Sequence, residues 1–234
     1  MKSSIPYLPD ATWWRQVLVR HAILRPLKIV ANTLGIAAFF VAYFWVMRHP
    51  QAAVTVMPLI AIDRWVAFEP AAMPLYVSLW VYVSIPLALV RTRRELWACG
   101  AATLAMSVIG MTIFLYFPTT VPEAGIDWSL HPSVAFLKGI DAGDNACPSL
   151  HVAFAVFAAV WLARILGEMR TGLAVRALNW LWCAGILYST LATRQHVALD
   201  VLAGAALGLL VGVLHEHGLN RGPSAEARVH LVQQ

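Results

Sequence analysis

Two short runs carry residue types that can do chemistry. The first is Cys147-Pro148-Ser149-Leu150-His151. Proline suits the first turn of a helix, where its missing N–H costs nothing, and Asn145 or Asp144 is expected to cap that helix. The N–H groups that a helix leaves unpaired at its start form an anion site, and phosphate is the usual guest. Ser149 adds a hydroxyl donor, and His151 lies just inside the helix, able to give or take a proton near neutral pH. The second run is Arg194-Gln195-His196-Val197-Ala198-Leu199-Asp200. His196 and Asp200 are i and i+4, so a helix would put them on one face. An aspartate accepting from one imidazole nitrogen fixes the tautomer and frees the other nitrogen to attack, which is triad logic with histidine as nucleophile. Arg194, close by, could hold a phosphate.

The elements that must position these runs follow from composition. Of 234 residues, 60% are hydrophobic and 12% charged, against roughly 25% charged in soluble domains. The mean hydropathy is +0.68. These values exclude a disordered tail, a disulfide-stapled secreted domain, a coiled coil and an ordinary cytosolic enzyme. They point to an integral membrane protein of one compact domain. Six runs, 29–47, 73–90, 96–117, 149–166, 177–192 and 196–214, approach bilayer-spanning length. They are continuously apolar rather than alternating, so they are expected as helices and not as barrel strands. Pro74 and Pro86 fall in the second run, tolerable where neighbours satisfy the freed carbonyls.

Placing the N-terminus in the cytoplasm puts 13 of the 17 Lys and Arg residues inside. The outer segments then hold only Arg48, Arg64, Lys138 and Arg194. The expected fold is therefore an all-α membrane protein, a six-transmembrane-helix bundle with both termini cytoplasmic. It comprises an interfacial segment 1–28, a membrane domain 29–217 and a polar, mobile tail 218–234. The basic N-terminal segment is too long and too aromatic for a cleaved signal peptide. Basic residues facing anionic lipid account for the net charge of +5, so no nucleic acid is invoked. Cys99, Cys147 and Cys183 are far apart and form no C-x-x-C, which suggests neither a zinc site nor a disulfide framework.

In this topology both chemical runs start at the outer membrane edge. Two long outer connections, 48–72 and 118–148, could build a site there. Asp141 and Asp144 in the second connection could bind a cation but read rather as a solvated loop, and Tyr76, Tyr116 and Trp128 read as interfacial aromatics that could instead line a lipid entrance. Gly204, Gly208 and Gly212 repeat every four residues, and such a face lets helices approach closely. The stripe permits a homodimer or a contact within the chain.

Each chemical residue also has an ordinary reading. A single histidine at a membrane edge is commonly just an interfacial polar group. The spacing of His196 and Asp200 equally suits two metal ligands, and Ser149 could simply cap its own helix. Convergence of two histidines, an aspartate and a helix start on one membrane face favours chemistry.

The two runs together resemble the type-2 phosphatidic acid phosphatase superfamily of integral membrane phosphoesterases. Pro148-Ser149-Leu150-His151 matches its Pro-Ser-X-His motif, and Ser189, His196 and Asp200 match its last motif. The resemblance implies that His151 protonates the leaving oxygen, that His196 attacks phosphorus to form a phosphohistidine, and that Asp200 supports His196. It implies no metal and no cofactor. The family's first motif, Lys, six residues, Arg-Pro, is absent; the corresponding place reads Phe117-Pro118-Thr119-Thr120-Val121-Pro122-Glu123. Thr190 stands where the last motif has arginine. Arg194, Arg64 and Lys138 are the candidate replacements for the lost cations. The pattern is closest to the branch containing inositol phosphorylceramide synthases, which has a Pro-rich element after span three and a basic-Gln-His run.

The expected function is a membrane lipid phosphatase working at the outer face of a bacterial inner (plasma) membrane. One alternative is a phosphotransferase moving a phospho-headgroup onto a lipid alcohol. The other is a non-enzymatic lipid-binding or transport protein. Candidate catalytic residues are His151, His196 and Asp200; candidate substrate-binding residues are Ser149, Arg194, Arg64, Lys138, Ser189 and Thr190.

Overall fold

A computed structural model describes residues 12–140 and 145–220. Lys2, Arg221 and Arg228 of the charge assignment, most of the expected tail, and Asp141 and Asp144 lie outside the described residues. The long helices are α1 (Trp13–Ala22), α2 (Arg25–Met47), α7 (Arg93–Tyr116), α9 (Leu150–Glu168), α10 (Leu173–Ala192) and α11 (Ala198–Asn220). Between them lie α3 (Ala61–Trp65), α4 (Met73–Val77), α5 (Leu79–Tyr82), α6 (Ser84–Leu89) and α8 (Pro132–Ile140).

Among the described residues, five stretches are long and apolar enough to cross a membrane: Arg25–Met47, Pro70–Leu89, Arg93–Tyr116, Leu150–Glu168 and Ala198–Glu216. The run expected as a fifth span, α10, has 20 residues but includes Arg176, Asn179, Ser189 and Thr190. That polarity keeps it off the measure the other five meet. Asn179 has a structural use: Tyr82 Oη donates to its Oδ1 at 2.7 Å, and its Nδ2 donates to the Ala159 carbonyl at 3.0 Å. The second span is broken into α4, α5 and α6. Pro86 has no N–H to return to the turn before it, which weakens the helix just ahead.

α9 is the centre of the bundle, with Ala153, Ala155, Ala158 and Ala159 fully buried along it. α11 runs parallel to it. A Cβ on Gly204 would stand 2.3 Å from the Ser149 carbonyl oxygen, and one on Gly208 would stand 2.3 Å from that of Ala153. Gly212 faces Val160. The close approach expected of this glycine stripe is thus made to α9 of the same chain.

Basic residues assigned to one side from sequence do gather at one end. Arg20, Arg91 and Arg164 all reach the Glu168 carboxylate, at 2.9, 3.3 and 3.1 Å. Lys28 donates to the Arg20 and Ala88 carbonyls, each at 2.7 Å. A cavity of about 510 Å³ opens at this same end, lined by Val160, Arg164, Glu168, Trp180 and Glu216.

The other end holds structure that an all-α expectation lacks. β1 (Thr55–Val56) pairs in parallel with β2 (Thr119–Thr120), with Thr55 opposite Thr119. Asn145 forms an isolated bridge to Thr119. Two-residue strands joined across distant loops show no period-two pattern, so no sequence signal announces them.

Candidate active site

The chain enters α9 through residues tied down by Thr119. Its carbonyl accepts from the Ala146 N–H at 2.8 Å, and its Oγ1 accepts from the Cys147 N–H at 2.8 Å. The stretch standing in place of the family's first motif therefore works here as a scaffold. Asn145 does not cap α9; its side-chain amide donates to the Tyr43 hydroxyl on α2. The cap is Ser149 itself, whose Oγ accepts from the Val152 N–H at 3.2 Å. Pro148 accordingly precedes the cap instead of sitting in the first turn. Asp144, the other expected cap, lies outside the described residues.

His151 occupies the first turn of α9, as its spacing suggests. Tyr76 of α4 stacks on its ring with centroids 4.0 Å apart and planes at 19°. The imidazole Nε2 is buried with no hydrogen-bond partner. Nε2 is thus a nitrogen free to exchange a proton. Tyr76, read from sequence as an interfacial aromatic, is in fact 5% exposed. With Met73 it packs against Val134 of α8, so α8 covers the His151 ring through Tyr76.

His196 lies just before α11 rather than inside it. The i, i+4 contact forms all the same: His196 Nδ1 meets Asp200 Oδ2 at 3.0 Å. Asp200 is fully buried, and its Oδ1 accepts from the Val201 N–H at 3.1 Å. An Nδ1–H donated to Asp200 leaves His196 Nε2 with the lone pair. The Thr190 carbonyl accepts from the N–H groups of both Gln195 and His196 at 3.1 Å, which fixes the approach to α11. The two runs also join directly, through the Ser149 N–H donating to the Asp200 carbonyl at 3.0 Å.

Other candidate residues fall into different positions. Arg194 adopts left-handed backbone at φ 56° and turns its guanidinium onto the carbonyls of Asp63 and Val66, at 3.2 and 2.8 Å. Ser189 and Thr190 are buried, with hydroxyls donating to the Ile186 and Leu187 carbonyls at 2.6 and 2.7 Å. Lys138 sits over the Trp128 ring, 4.8 Å from its centroid. Arg64 is exposed on α3. Asp63, in the first long connection, is buried and caps α11. Its Oδ1 accepts from the Ala198 N–H at 2.7 Å, and its Oδ2 accepts from the Ile60 N–H at 2.8 Å. The Cys147 thiol is pushed above its ordinary range, first by burial and then by the Asp200 charge, so it stays protonated at neutral pH. Among the described residues no third His, Cys, Asp or Glu joins His196 and Asp200 in a metal-ligand group.

The family model of the PAP2 superfamily matches residues 91–220, more than half of the chain and both chemical runs. The chain belongs to the PAP2 superfamily. No curated protein and no solved structure matches it. PAP2 membership, with five apolar spans, makes this an integral membrane protein with phosphoesterase-type chemistry. Residues 12–90 lie outside the PAP2 match, yet they supply Tyr76 to His151 and Asp63 to the start of α11.

Proposed function

We propose that this chain is a membrane lipid phosphatase working through a phosphohistidine on His196. The observation that carries the reading is the His196–Asp200 pair at 3.0 Å, joined through the Ser149–Asp200 backbone bond to the start of the helix that holds His151, whose Nε2 is buried without a partner. In the first step His196 Nε2 forms a bond to phosphorus while the ester P–O bond breaks. The leaving oxygen takes a proton from His151 Nε2. Water then gives its proton to His151 and attacks phosphorus, the P–N bond breaks, and phosphate leaves. General acid–base help of this kind contributes about 10²–10⁴-fold.

The reading extends to placement. α10 is the fifth of six spans, both termini are cytoplasmic, and the site opens to the outer side of a bacterial inner membrane. Thirteen of 17 basic residues on one side support this orientation. A transferase acting on a lipid alcohol is the second reading, favoured by the basic-Gln-His run Arg194-Gln195-His196.

The test is phosphate release from a panel of lipid phosphates, with and without added alcohols. Release without acceptor, abolished by His196→Ala and by His151→Ala, is the expected result. Turnover only with an acceptor would establish the transferase instead. Full activity in either histidine variant would remove the mechanism.

A further inference from the structure

Gln195 is 8% exposed, and its side-chain Nε2 is buried with no hydrogen-bond partner. Buried amide donors are almost always paired, and an orphan calls for a reason. His151 Nε2, the proposed proton carrier, is in the same condition. Gln195 directly precedes His196, and both backbone N–H groups are held by the one Thr190 carbonyl. The amide is thus anchored one residue from the attacking nitrogen.

Four of the six donors expected around a phosphoryl group are elsewhere engaged. Thr190, at the family's arginine position, spends its hydroxyl on Leu187. Arg194 spends its guanidinium on two carbonyls of the first outer loop. Ser189 donates to Ile186. Lys138 lies against Trp128.

We propose that Gln195 is a substrate ligand whose Nε2–H donates to a non-bridging oxygen of the phosphoryl group that His196 attacks. This rests on the phosphoryl-transfer reading above. A neutral amide supplies direction without charge, which suits a buried position where a lone cation would be costly to desolvate. It also accounts for a last motif that works without its arginine. A substrate oxygen completes the amide's bonding only when the lipid phosphate is in place.

The functional assignment and a purely packing role predict different things for Gln195→Met, which keeps the shape and removes the donor. The experiment uses the full chain in detergent micelles, with orthovanadate as the binding probe and phosphatidic acid as the turnover substrate. Wild type is expected to gain thermal stability with vanadate and to release phosphate. Gln195→Met should hold vanadate about tenfold more weakly and lose about tenfold or more in kcat/KM. Its melting temperature without vanadate should equal or exceed that of wild type, because a buried unpaired donor has gone. Gln195→Glu, which sets a carboxylate against the phosphoryl oxygens, should lose more. Should Gln195→Met fail to fold, Gln195→Asn, whose amide is one methylene short, carries the same comparison. A vanadate-binding wild type matched within twofold by the variant overturns the Gln195 assignment alone. A wild type that neither binds vanadate nor releases phosphate overturns the phosphatase reading, and this assignment with it.

Discussion

The backbone N–H of Ser149 donates to the carbonyl oxygen of Asp200 at 3.0 Å, so the starts of α9 and α11 are joined main chain to main chain. The two segments are 51 positions apart in sequence. The bond is made without any side chain of the site. It lets the side chains of Ser149, His151 and Asp200 be set by one rigid junction, which is how a site holds its geometry.

The glycine at the next turn makes that junction reachable. A Cβ on Gly204 would lie 2.3 Å from the Ser149 carbonyl oxygen, and backbone cannot swing aside as a side chain can. Gly204→Ala is expected to cost about 1–3 kcal/mol and to lower activity by displacing α11 from α9. Gly100 has nothing within 4 Å of a Cβ, so Gly100→Ala should be neutral or stabilising by up to about 1 kcal/mol. Thermal melting of the two variants in detergent makes the comparison; equal melting temperatures would contradict it.

Asp200→Asn keeps the size of the side chain but disturbs the tautomer of His196, which Asp200 Oδ2 meets at 3.0 Å. The equivalent change in a serine-protease triad lowers kcat by about 10⁴-fold, and a loss of at least about 10²-fold is expected here. Single-turnover phosphate release measures it. A variant within fivefold of wild type would mean that Asp200 does not orient the attacking ring.

Asp63→Ala removes the acceptor for the Ala198 N–H and the Ile60 N–H together. Loss of a helix cap costs about 0.5–2 kcal/mol. The start of α11 would loosen next to His196, so both stability and kcat should fall. Hydrogen exchange at Ala198 and Val201 reads the loosening directly. Unchanged protection there would show that the cap is dispensable.

Much of the site could be read in the sequence, because local spacing encodes it. His196 and Asp200 meet as i and i+4 even though His196 precedes the helix, and the glycine period of four correctly marks a tight helix contact. What escaped is long-range. An arginine beside a histidine reads the same whether it faces a ligand or, like Arg194, two loop carbonyls. Tyr76 carries no local sign of stacking on a ring 75 positions later. Asp63 and Thr119 act through backbone groups of distant loops, and such contacts have no periodicity. α10 shows the same limit in the fold: its polar residues lower its apolarity, but one of them, Asn179, binds the neighbouring α5 and α9.

Thiol reagents give a separate check on the site's electrostatics. Burial, and then the Asp200 charge, holds the Cys147 thiol above its ordinary range. A raised value means the neutral thiol persists through pH 7 and the reactive thiolate forms only at higher pH. Iodoacetamide at pH 7 should therefore label Cys147 slowly and leave phosphate release intact, with labelling accelerating only in strongly alkaline buffer. Rapid labelling at pH 7, followed by mass spectrometry of the Cys147 peptide, would contradict this environment.

The most direct measurement quenches the enzyme in base during turnover of a lipid carrying labelled phosphate and maps the label by peptide. A base-stable, acid-labile phosphoryl group on His196, absent from His196→Ala, is the expected result. Steady turnover with no label on His196, or label carried by a different side chain, would contradict histidine attack on phosphorus.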